Sequence, residues 1–264
     1  MAVYVISDIH GCYDTFIKLL ENSEFDINND VLYILGDIID RGDKTLEMYE
    51  WVKERINKNV FMILGNHEDM FISDVMGLRG QELWSKKFAC ENSGVEFKMT
   101  EQEKQQYNYF MKDLFGVVAD QYGTIKDLRR RRGLSISELE EMANFFQELP
   151  LYYEVEVNGK IYTLVHAFCR RKIEDTSRDD FVWNRSLANP HLGVEGKHVI
   201  FGHTPTICEE YDAKGGVVIT NLSENTSTMN IDCGCVWDCL NSSLGIVRLD
   251  DMKIWYQKNI DNKI

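Results

Sequence analysis

The sequence predicts an α/β protein, because short apolar strands alternate with amphipathic helical segments and polar residues follow directly where the strands end. The first 66 residues show the order β-α-β-α-β, with strands at 3–6, 31–35 and 60–64 and helices at 13–20 and 46–56. Continuous apolar strands are typical of a sheet that is covered by helices. We therefore expect the amino-terminal part of the chain to form such a sheet.

A change of pattern follows, since residues 70–150 show helical spacing, many charges and few strand signals. We interpret this segment as a helical insertion within a single domain that spans residues 1–264. Ser135 and Ser137 are each followed three residues later by Glu, so either serine could begin a helix through a capping box. Pro150 is expected to end that helix.

Strands return after residue 151, and Asn158-Gly159 is a strong signal for a hairpin turn between the first two. The sequence predicts strands at 152–157, 160–165, 197–201, 216–219, 229–232 and 244–249. Between the predicted strands 216–219 and 229–232, the polar residues 221–228 are expected to form a turn or loop.

Charge and composition limit the classes of partner. The 264 residues include 29 Lys and Arg against 43 Asp and Glu, which gives a formal net charge of −14 at pH 7. Broad nucleic-acid binding requires Lys and Arg, so we expect no nucleic-acid partner. No apolar run approaches the roughly 20 residues that cross a bilayer, so no membrane partner is expected. The odd number of cysteines, 7, favours reduced thiols and a cytoplasmic location.

Five predicted strands each lead directly into residues that can ligate a metal ion. Ligands bind at the carboxyl ends of strands in α/β sheets, so these residues could share one site. A single polar residue at a strand end is usually a cap or turn residue, but coincidence at five strand ends is improbable. A ligand set of oxygen and nitrogen without thiolate suits Mn, Fe or Zn in a reactive site. The candidate ligands are Asp8, His10, Asp37, Asn66, His166 and His203.

Three motifs resemble the signature motifs of the phosphoprotein phosphatase branch of the calcineurin-like metallophosphoesterases. Their order and spacing match as well, and His166-Ala167-Phe168 is similar to the bacterial and phage-type members. The motifs are Ser7-Asp8-Ile9-His10-Gly11, Gly36-Asp37-Ile38-Ile39-Asp40-Arg41-Gly42 and Gly65-Asn66-His67-Glu68. The resemblance implies a sandwich of two mixed β-sheets flanked by helices.

The resemblance also implies a site with two divalent metal ions, Mn as the first choice and Fe or Zn as alternatives. Asp37 would bridge the two ions. The implied ligands are Asp8, His10 and Asp37 for the first ion, and Asp37, Asn66, His166 and His203 for the second.

Other residues of the same motifs would bind and protonate the substrate. His67 would be the general acid, oriented by Asp40, and Arg41 and Arg185 would bind the phosphate together with Asn66. A hydroxide that bridges the metals would attack phosphorus directly. Two divalent ions and two arginines would give a positive pocket on an acidic protein, so the net charge does not oppose a phosphate substrate.

The function expected from the resemblance is hydrolysis of phosphate monoesters, with a Ser/Thr phosphoprotein, a phosphopeptide or a small phosphoester as substrate. The alternative is a symmetrical bis(5'-nucleosyl)-tetraphosphatase, an enzyme of the same scaffold that often lacks the Asp of the Asp-Arg-Gly triplet. Because Asp40-Arg41-Gly42 is intact here, the sequence favours the protein phosphatase. A catalytically inactive binding protein is the third hypothesis, and the intact ligand set argues against it.

Two further features could indicate binding sites but have simpler explanations. Cys233, Cys235 and Cys239 lack the spacing of a zinc site, and we interpret them as reduced thiols. Residues 129–132 are four consecutive arginines, which we interpret as a solvated loop, with a docking patch for acidic partners as the alternative. The sequence indicates neither the oligomeric state nor the role of the insertion.

Overall fold

The computed structural model describes residues 1–112, 120–189, 191–212, 214–237 and 239–261. Its strands are β1 (Val3–Ile6), β2 (Val31–Ile34), β3 (Val60–Met62), β4 (Tyr152–Val157), β5 (Lys160–Val165), β6 (His198–Phe201), β7 (Val218–Ser223), β8 (Thr226–Asn230), β9 (Leu244–Arg248) and β10 (Lys253–Gln257). Its helices are α1 (Tyr13–Asn22), α2 (Thr45–Arg55), α3 (Asn66–Asn92), α4 (Glu101–Lys112), α5 (Thr124–Arg130), α6 (Ile136–Gln147) and α7 (Arg178–Trp183).

Two mixed five-stranded sheets form the fold, which confirms the expected α/β sandwich. The first sheet has the order β10-β9-β1-β2-β3, and the second has the order β4-β5-β6-β8-β7. In the first sheet β1, β2 and β3 run parallel, whereas β9 and β10 are antiparallel. In the second sheet β5, β6 and β8 run parallel. The parallel strands of each sheet therefore end at a common edge.

An apolar core lies between the two sheets, because both contribute side chains to one buried cluster. Val5 and Val247 come from the first sheet, and Leu164, Ile200 and Met229 come from the second. Each of these side chains is at most 4% exposed. Burial of this core stabilises the edge from which the polar residues extend.

The described chain divides into two compact units. The first unit contains Met1–Glu68 and Leu149–Ile264, and the second contains Asp69–Glu148. The second unit is helical, with α4, α5, α6 and most of α3. Its role as an insertion within a single domain stays a prediction.

Local signals predicted several element boundaries correctly. Ser135 begins α6 through a capping box, since its hydroxyl accepts the Glu138 N–H at 3.2 Å and its own N–H donates to Glu138 Oε2 at 2.7 Å. The helix ends at Gln147, before Pro150. Asn158 and Gly159 form the turn of the β4–β5 hairpin, and both have positive φ.

The prediction of a loop at residues 221–228 is wrong. These residues belong to β7 and β8, and only Glu224 and Asn225 form the turn between them. The polar β8 is a strand because it pairs with β6 on one side and β7 on the other, and all five of its residues are buried. Tertiary pairing therefore overrides a polar local sequence. The edge strand β10 and the short helix α7 were not predicted.

The length and the hydropathy of the helices decide whether any of them could cross a membrane. Among the helices that the structure describes, none combines the length and the apolar character needed to cross a bilayer.

Candidate metal centre and substrate site

The strand ends bring the predicted ligands of both sheets together. Asp8 and His10 follow β1, Asp37 follows β2, and Asn66 begins α3 after β3. His166 follows β5, and His203 follows β6. All six side chains are at most 6% exposed. The strand ends therefore form one buried cluster of oxygen and nitrogen ligands.

One candidate group contains His10, Asp37 and His67, whose ligand atoms lie within 4.8 Å of one another. Asp37 Oδ2 is 3.9 Å from Nε2 of both histidines. The His10 Nδ1–H donates to the Ile39 carbonyl at 2.9 Å. Nε2 of His10 therefore carries the lone pair, which accepts an N–H of Arg41 here and is the atom that could bind a cation.

A second candidate group contains Asp37, His166 and His203, also within 4.8 Å. His166 donates from Nδ1 to the Leu35 carbonyl at 2.7 Å, so its Nε2 presents a lone pair to the site. That Nε2 lies 3.5 Å from Asp37 Oδ2, 3.2 Å from His203 Nδ1 and 3.0 Å from Asn66 Oδ1. His203 Nε2 lies 3.2 Å from the Trp183 carbonyl, which leaves Nδ1 directed at Asn66 Oδ1 at 2.7 Å.

The electrostatics of this cluster fit divalent cations. Burial lowers the pKa of His10 well below its ordinary value, and burial together with His166 lowers the pKa of His203 to about 2. Burial, Asp8 and Glu68 raise the pKa of Asp37 well above its ordinary value. Neutral imidazoles and a carboxylate thus point lone pairs at common points, and positive ions would stabilise that arrangement. Asp37 belongs to both groups, as a bridging ligand would.

Asp8 belongs to neither candidate metal group and is held by its own partners. Its carboxylate accepts the His203 N–H at 3.2 and 3.1 Å and the Ser7 hydroxyl. A Cβ at Gly202 would collide with the Asp8 carboxylate, so only glycine allows β6 to approach β1 this closely.

His67 and Asp40 form the predicted pair. His67 Nδ1 lies 2.7 Å from Asp40 Oδ2, and both side chains are buried. Burial lowers the pKa of His67, whereas the hydrogen bond to Asp40 raises it. His67 therefore has an orienting carboxylate that favours its protonated form. His67 Nε2 also lies 3.9 Å from Asp37 Oδ2. The position of this imidazole therefore suits a metal ligand as well as a general acid.

The two predicted phosphate-binding arginines contact different ligand groups. Arg41 Nη1 lies 2.8 Å from His10 Nε2, in the first group. Arg185 Nη1 donates to the His203 carbonyl and to Thr204 Oγ1, each at 2.9 Å, beside the second group. Guanidinium groups bind phosphate oxygens in a bidentate manner, so this placement suits a phosphate at the cluster.

Two buried carboxylates at the site were missed by sequence reasoning. Glu68 accepts N–H groups of Asp37 at 2.8 Å, Ile38 at 2.9 Å and Gly65 at 3.1 Å, and so links the second and third motifs. Its place directly after His67 was the available signal. Asp232 is 4% exposed and accepts the Gly234 N–H at 2.9 Å, and burial and Asp8 raise its pKa. Asp232 lies between the end of β8 and the pair Cys233 and Cys235, and no motif there indicated a role for it.

Backbone strain is concentrated at the same place. The described non-glycine residues with positive φ include six site residues: Asp8, His10, Asp37, Asp40, Arg41 and His203. Each such residue costs of order 1 kcal/mol or more relative to an ordinary conformation. The fold therefore maintains an unfavourable local backbone in order to direct these side chains inward.

Three cysteines and a run of four arginines are the other features that the sequence singles out. Cys233 and Cys235 are buried and Cys239 is exposed, and all are free thiols. A hydrogen bond with Cys12 and burial raise the pKa of Cys235 well above its ordinary value, which disfavours the reactive thiolate. In the described part of the chain, neither candidate metal group includes a cysteine. Residues 129–132 are exposed, at the end of α5 and just beyond it.

A family model for the calcineurin-like phosphoesterases matches residues 1–207. The chain is 26% identical over 293 aligned residues to the symmetrical bis(5'-nucleosyl)-tetraphosphatase of Vibrio vulnificus, and the match covers 99% of this chain and 100% of that protein. It is 43% identical over 79 residues to the Pasteurella multocida protein of the same name, which covers 30% of this chain and 28% of that protein.

A solved protein serine/threonine phosphatase from Saccharomyces cerevisiae has the same fold. The TM-score is 0.54 with 14% identity, and the match covers 99% of this chain and 81% of that one. The fold, the buried ligand cluster and the family match agree. The chain belongs to the calcineurin-like phosphoesterase family and is a phosphoric ester hydrolase of the dinuclear metal type.

Proposed function

We propose that this protein is a symmetrical dinucleoside tetraphosphatase, which cleaves bis(5'-nucleosyl) tetraphosphates into two nucleoside diphosphates. The observation that carries the proposal is the match to the Vibrio vulnificus tetraphosphatase, which extends over nearly the whole of both chains. The buried ligand cluster with an arginine beside each half supports it, because a polyphosphate chain needs positive charge along its length.

The metal ligands in this proposal are those of the sequence resemblance. Asp8, His10 and Asp37 hold one divalent ion, and Asp37, Asn66, His166 and His203 hold the other. When bound, the two ions supply positive charge to the phosphate oxygens and lower the pKa of an attacking water. Manganese is our proposal for the ions, and the free thiols support a cytoplasmic location.

The remaining residues bind the substrate and supply a proton. Arg41 and Arg185 bind non-bridging oxygens of adjacent phosphates, and Asn66 contacts the same phosphates. Water oxygen forms a bond to a central phosphorus, the bridging P–O bond breaks, and the bond electrons leave with a nucleoside diphosphate. His67 holds a proton near that leaving oxygen, and Asp40 keeps the imidazole oriented.

A second candidate function is a phosphoprotein phosphatase, and one observation favours it. Asp40 is present and bonds His67 at 2.7 Å, as suits a site that must protonate a strongly basic leaving group. A serine alkoxide is such a group, whereas a nucleoside diphosphate is a weaker base and needs the proton less. The bacterial and phage-type phosphoprotein phosphatase branch therefore remains our second hypothesis.

A direct comparison of substrates tests the two functions. The metal-loaded protein is incubated with diadenosine tetraphosphate and, separately, with a phosphoserine peptide, and the products are separated by chromatography. We expect ADP as the sole nucleotide product and a higher kcat/KM for the dinucleotide. Formation of ATP and AMP would contradict symmetrical cleavage, and faster release of phosphate from the peptide would favour the second function.

A further inference from the structure

A cavity of about 600 Å³ opens to solvent directly beside Arg185. Its lining residues include Arg185, Thr204, Ala188, Asn189, Leu192 and Glu210. Arg185 is fixed there by its bonds to the His203 carbonyl and to Thr204. The cavity therefore adjoins the second ligand group through Arg185, and its size is that of a small-molecule site.

The charges in this cavity indicate which part of a substrate it accepts. The Arg185 guanidinium attracts a phosphate of the substrate. The Glu210 carboxylate repels a second phosphate and accepts hydrogen bonds from hydroxyl or amino groups. Ala188 and Leu192 supply an apolar surface. A neutral group with hydroxyl or amino donors and a flat apolar face satisfies all three conditions. A nucleoside has this chemistry.

A second feature lies beside the other arginine. Arg41 Cζ is 5.4 Å from the centre of the Trp237 ring, and that ring is 48% exposed. A Cβ at Gly234 would lie 3.3 Å from Trp237 Cδ1, so the glycine permits the ring to pack closely at its base. A half-exposed indole beside a phosphate-binding residue is a platform on which a nucleobase can stack.

The two features belong to different halves of the metal centre. Arg41 contacts His10, in the group with Asp37 and His67, whereas Arg185 contacts His203, in the group that shares Asp37. We propose that the cavity beside Arg185 binds one nucleoside of the substrate and that Trp237 stacks on the base of the other. This inference rests on the proposed function, since it assigns the two ends of a dinucleoside polyphosphate to two surfaces.

A series of substrates with two, one and no nucleosides tests the assignment. Diadenosine tetraphosphate, adenosine 5'-tetraphosphate and inorganic tetraphosphate are compared as substrates of the metal-loaded protein. Because stacking of one base on an aromatic ring contributes about tenfold or more, we expect kcat/KM to fall by about tenfold or more with each nucleoside removed. Equal values for the three substrates would overturn the inference.

Two substitutions then assign each nucleoside to its surface. Trp237→Ala removes the platform, and Leu192→Asp places a charge in the cavity at a side chain that is 49% exposed and tolerates it. Each should lower the ratio of kcat/KM for diadenosine tetraphosphate to that for inorganic tetraphosphate about tenfold or more. Trp237→Phe should restore most of the ratio. Leu240→Asp, at a leucine that is 88% exposed and outside the cavity lining, is the matched control and should leave the ratio unchanged.

Other outcomes separate this inference from the proposed function. If Trp237→Ala lowers activity equally on all three substrates, the ring only positions Arg41 and the inference is wrong. If the wild type cleaves the phosphopeptide and none of the tetraphosphates, the proposed function fails. ADP and pyrophosphate are then compared as inhibitors of peptide hydrolysis. Inhibition by ADP at a tenfold lower concentration, abolished by both substitutions, would support the nucleoside sites, and equal inhibition would overturn them.

Discussion

The imidazole of His67 depends on Asp40 for both its orientation and its protonation. The hydrogen bond to Asp40 opposes the effect of burial on the pKa of His67. Asp40→Asn should lower that pKa further, so less of the acid form is present at neutral pH. We expect kcat on a phosphoserine peptide to fall about 100-fold, because the leaving alkoxide needs the proton. The loss on 4-nitrophenyl phosphate should be about tenfold or less, since its leaving group is a weaker base.

The pH profile of kcat on the peptide gives an independent measurement of this role. An acid with a lower pKa loses its proton at lower pH, so the falling limb of the profile should move to lower pH in Asp40→Asn. Asp40→Glu, which keeps the charge, should move it less. Similar losses on both substrates with an unchanged profile would show that Asp40 has no influence on protonation by His67.

Gly202 is required at a single point where the two sheets approach each other. A side chain at this position would collide with the carboxylate of Asp8 and the hydroxyl of Ser7. We expect Gly202→Ala to displace Asp8, to lower the metal content and to reduce activity at least about 100-fold. Gly159→Ala is the control, because its φ of +76° strains the backbone of the variant while nothing lies within 4 Å of the added Cβ. That control should lose stability but retain its metal, as measured by elemental analysis of dialysed protein.

At the scale of elements, α7 begins with a capping box and ends beside the predicted substrate site. Ser177 Oγ accepts the Asp180 N–H at 3.0 Å at the start of the helix. At the other end, the Trp183 carbonyl lies 3.2 Å from His203 Nε2, and Arg185 follows two residues later. The short helix therefore positions both a predicted metal ligand, His203, and a predicted phosphate-binding residue, Arg185.

Removal of this cap should affect function as well as stability. Ser177→Ala should lower the free energy of unfolding by about 1 kcal/mol and raise KM severalfold, because Arg185 becomes less ordered. Ser135→Ala removes the same kind of capping box from α6 in the other compact unit. It should cost a similar free energy in a denaturant titration, with KM unchanged. A rise of KM in both variants would mean that reduced stability alone explains the effect.

The sequence predicted those elements whose local pattern and tertiary environment agree. Strands β1, β4 and β5 match the predicted residues, because β1 is a continuous apolar run and a strong turn signal separates β4 from β5. The polar strand β8 could not be predicted, since its stability comes from pairing with β6 and β7. The motifs at strand ends predicted which side chains would cluster, and the structure brings these candidate ligands together. The geometry that brings His203 to Asn66, which are distant in sequence, depends on the packing of the two sheets.

At the scale of the whole molecule, a chain with a negative net charge contains a buried cluster whose side chains suit positive ions. The chain has a formal net charge of −14, and the buried carboxylates Asp37, Glu68 and Asp232 all have raised pKa values, chiefly because of burial. Attraction of an anionic substrate must therefore be local to the metals and arginines, within a Debye length of about 8 Å at physiological salt. Long polyanions meet repulsion from the rest of the surface.

The same distribution of charge predicts that the bound metals stabilise the fold. Without cations, buried acidic groups lie close together and site residues such as Asp8 and His203 keep a strained backbone. A ligand at 100 times its Kd adds about 2.7 kcal/mol to the free energy of unfolding. For a protein of this size that corresponds to a rise in Tm of about 5–10 °C. We expect dialysis against a chelator to lower Tm by this amount, and added Mn²⁺ to restore it.

Asp37→Asn is the control that separates specific binding from a general effect of salt, because Asp37 belongs to both ligand groups. The neutral amide removes a buried acid, so the metal-free variant should unfold at a Tm no lower than that of the metal-free wild type. Its Tm should rise much less when Mn²⁺ is added, since the shared ligand is lost from both groups. Equal rises in the two proteins, measured by differential scanning calorimetry, would show that the cations bind elsewhere and would contradict the dinuclear assignment.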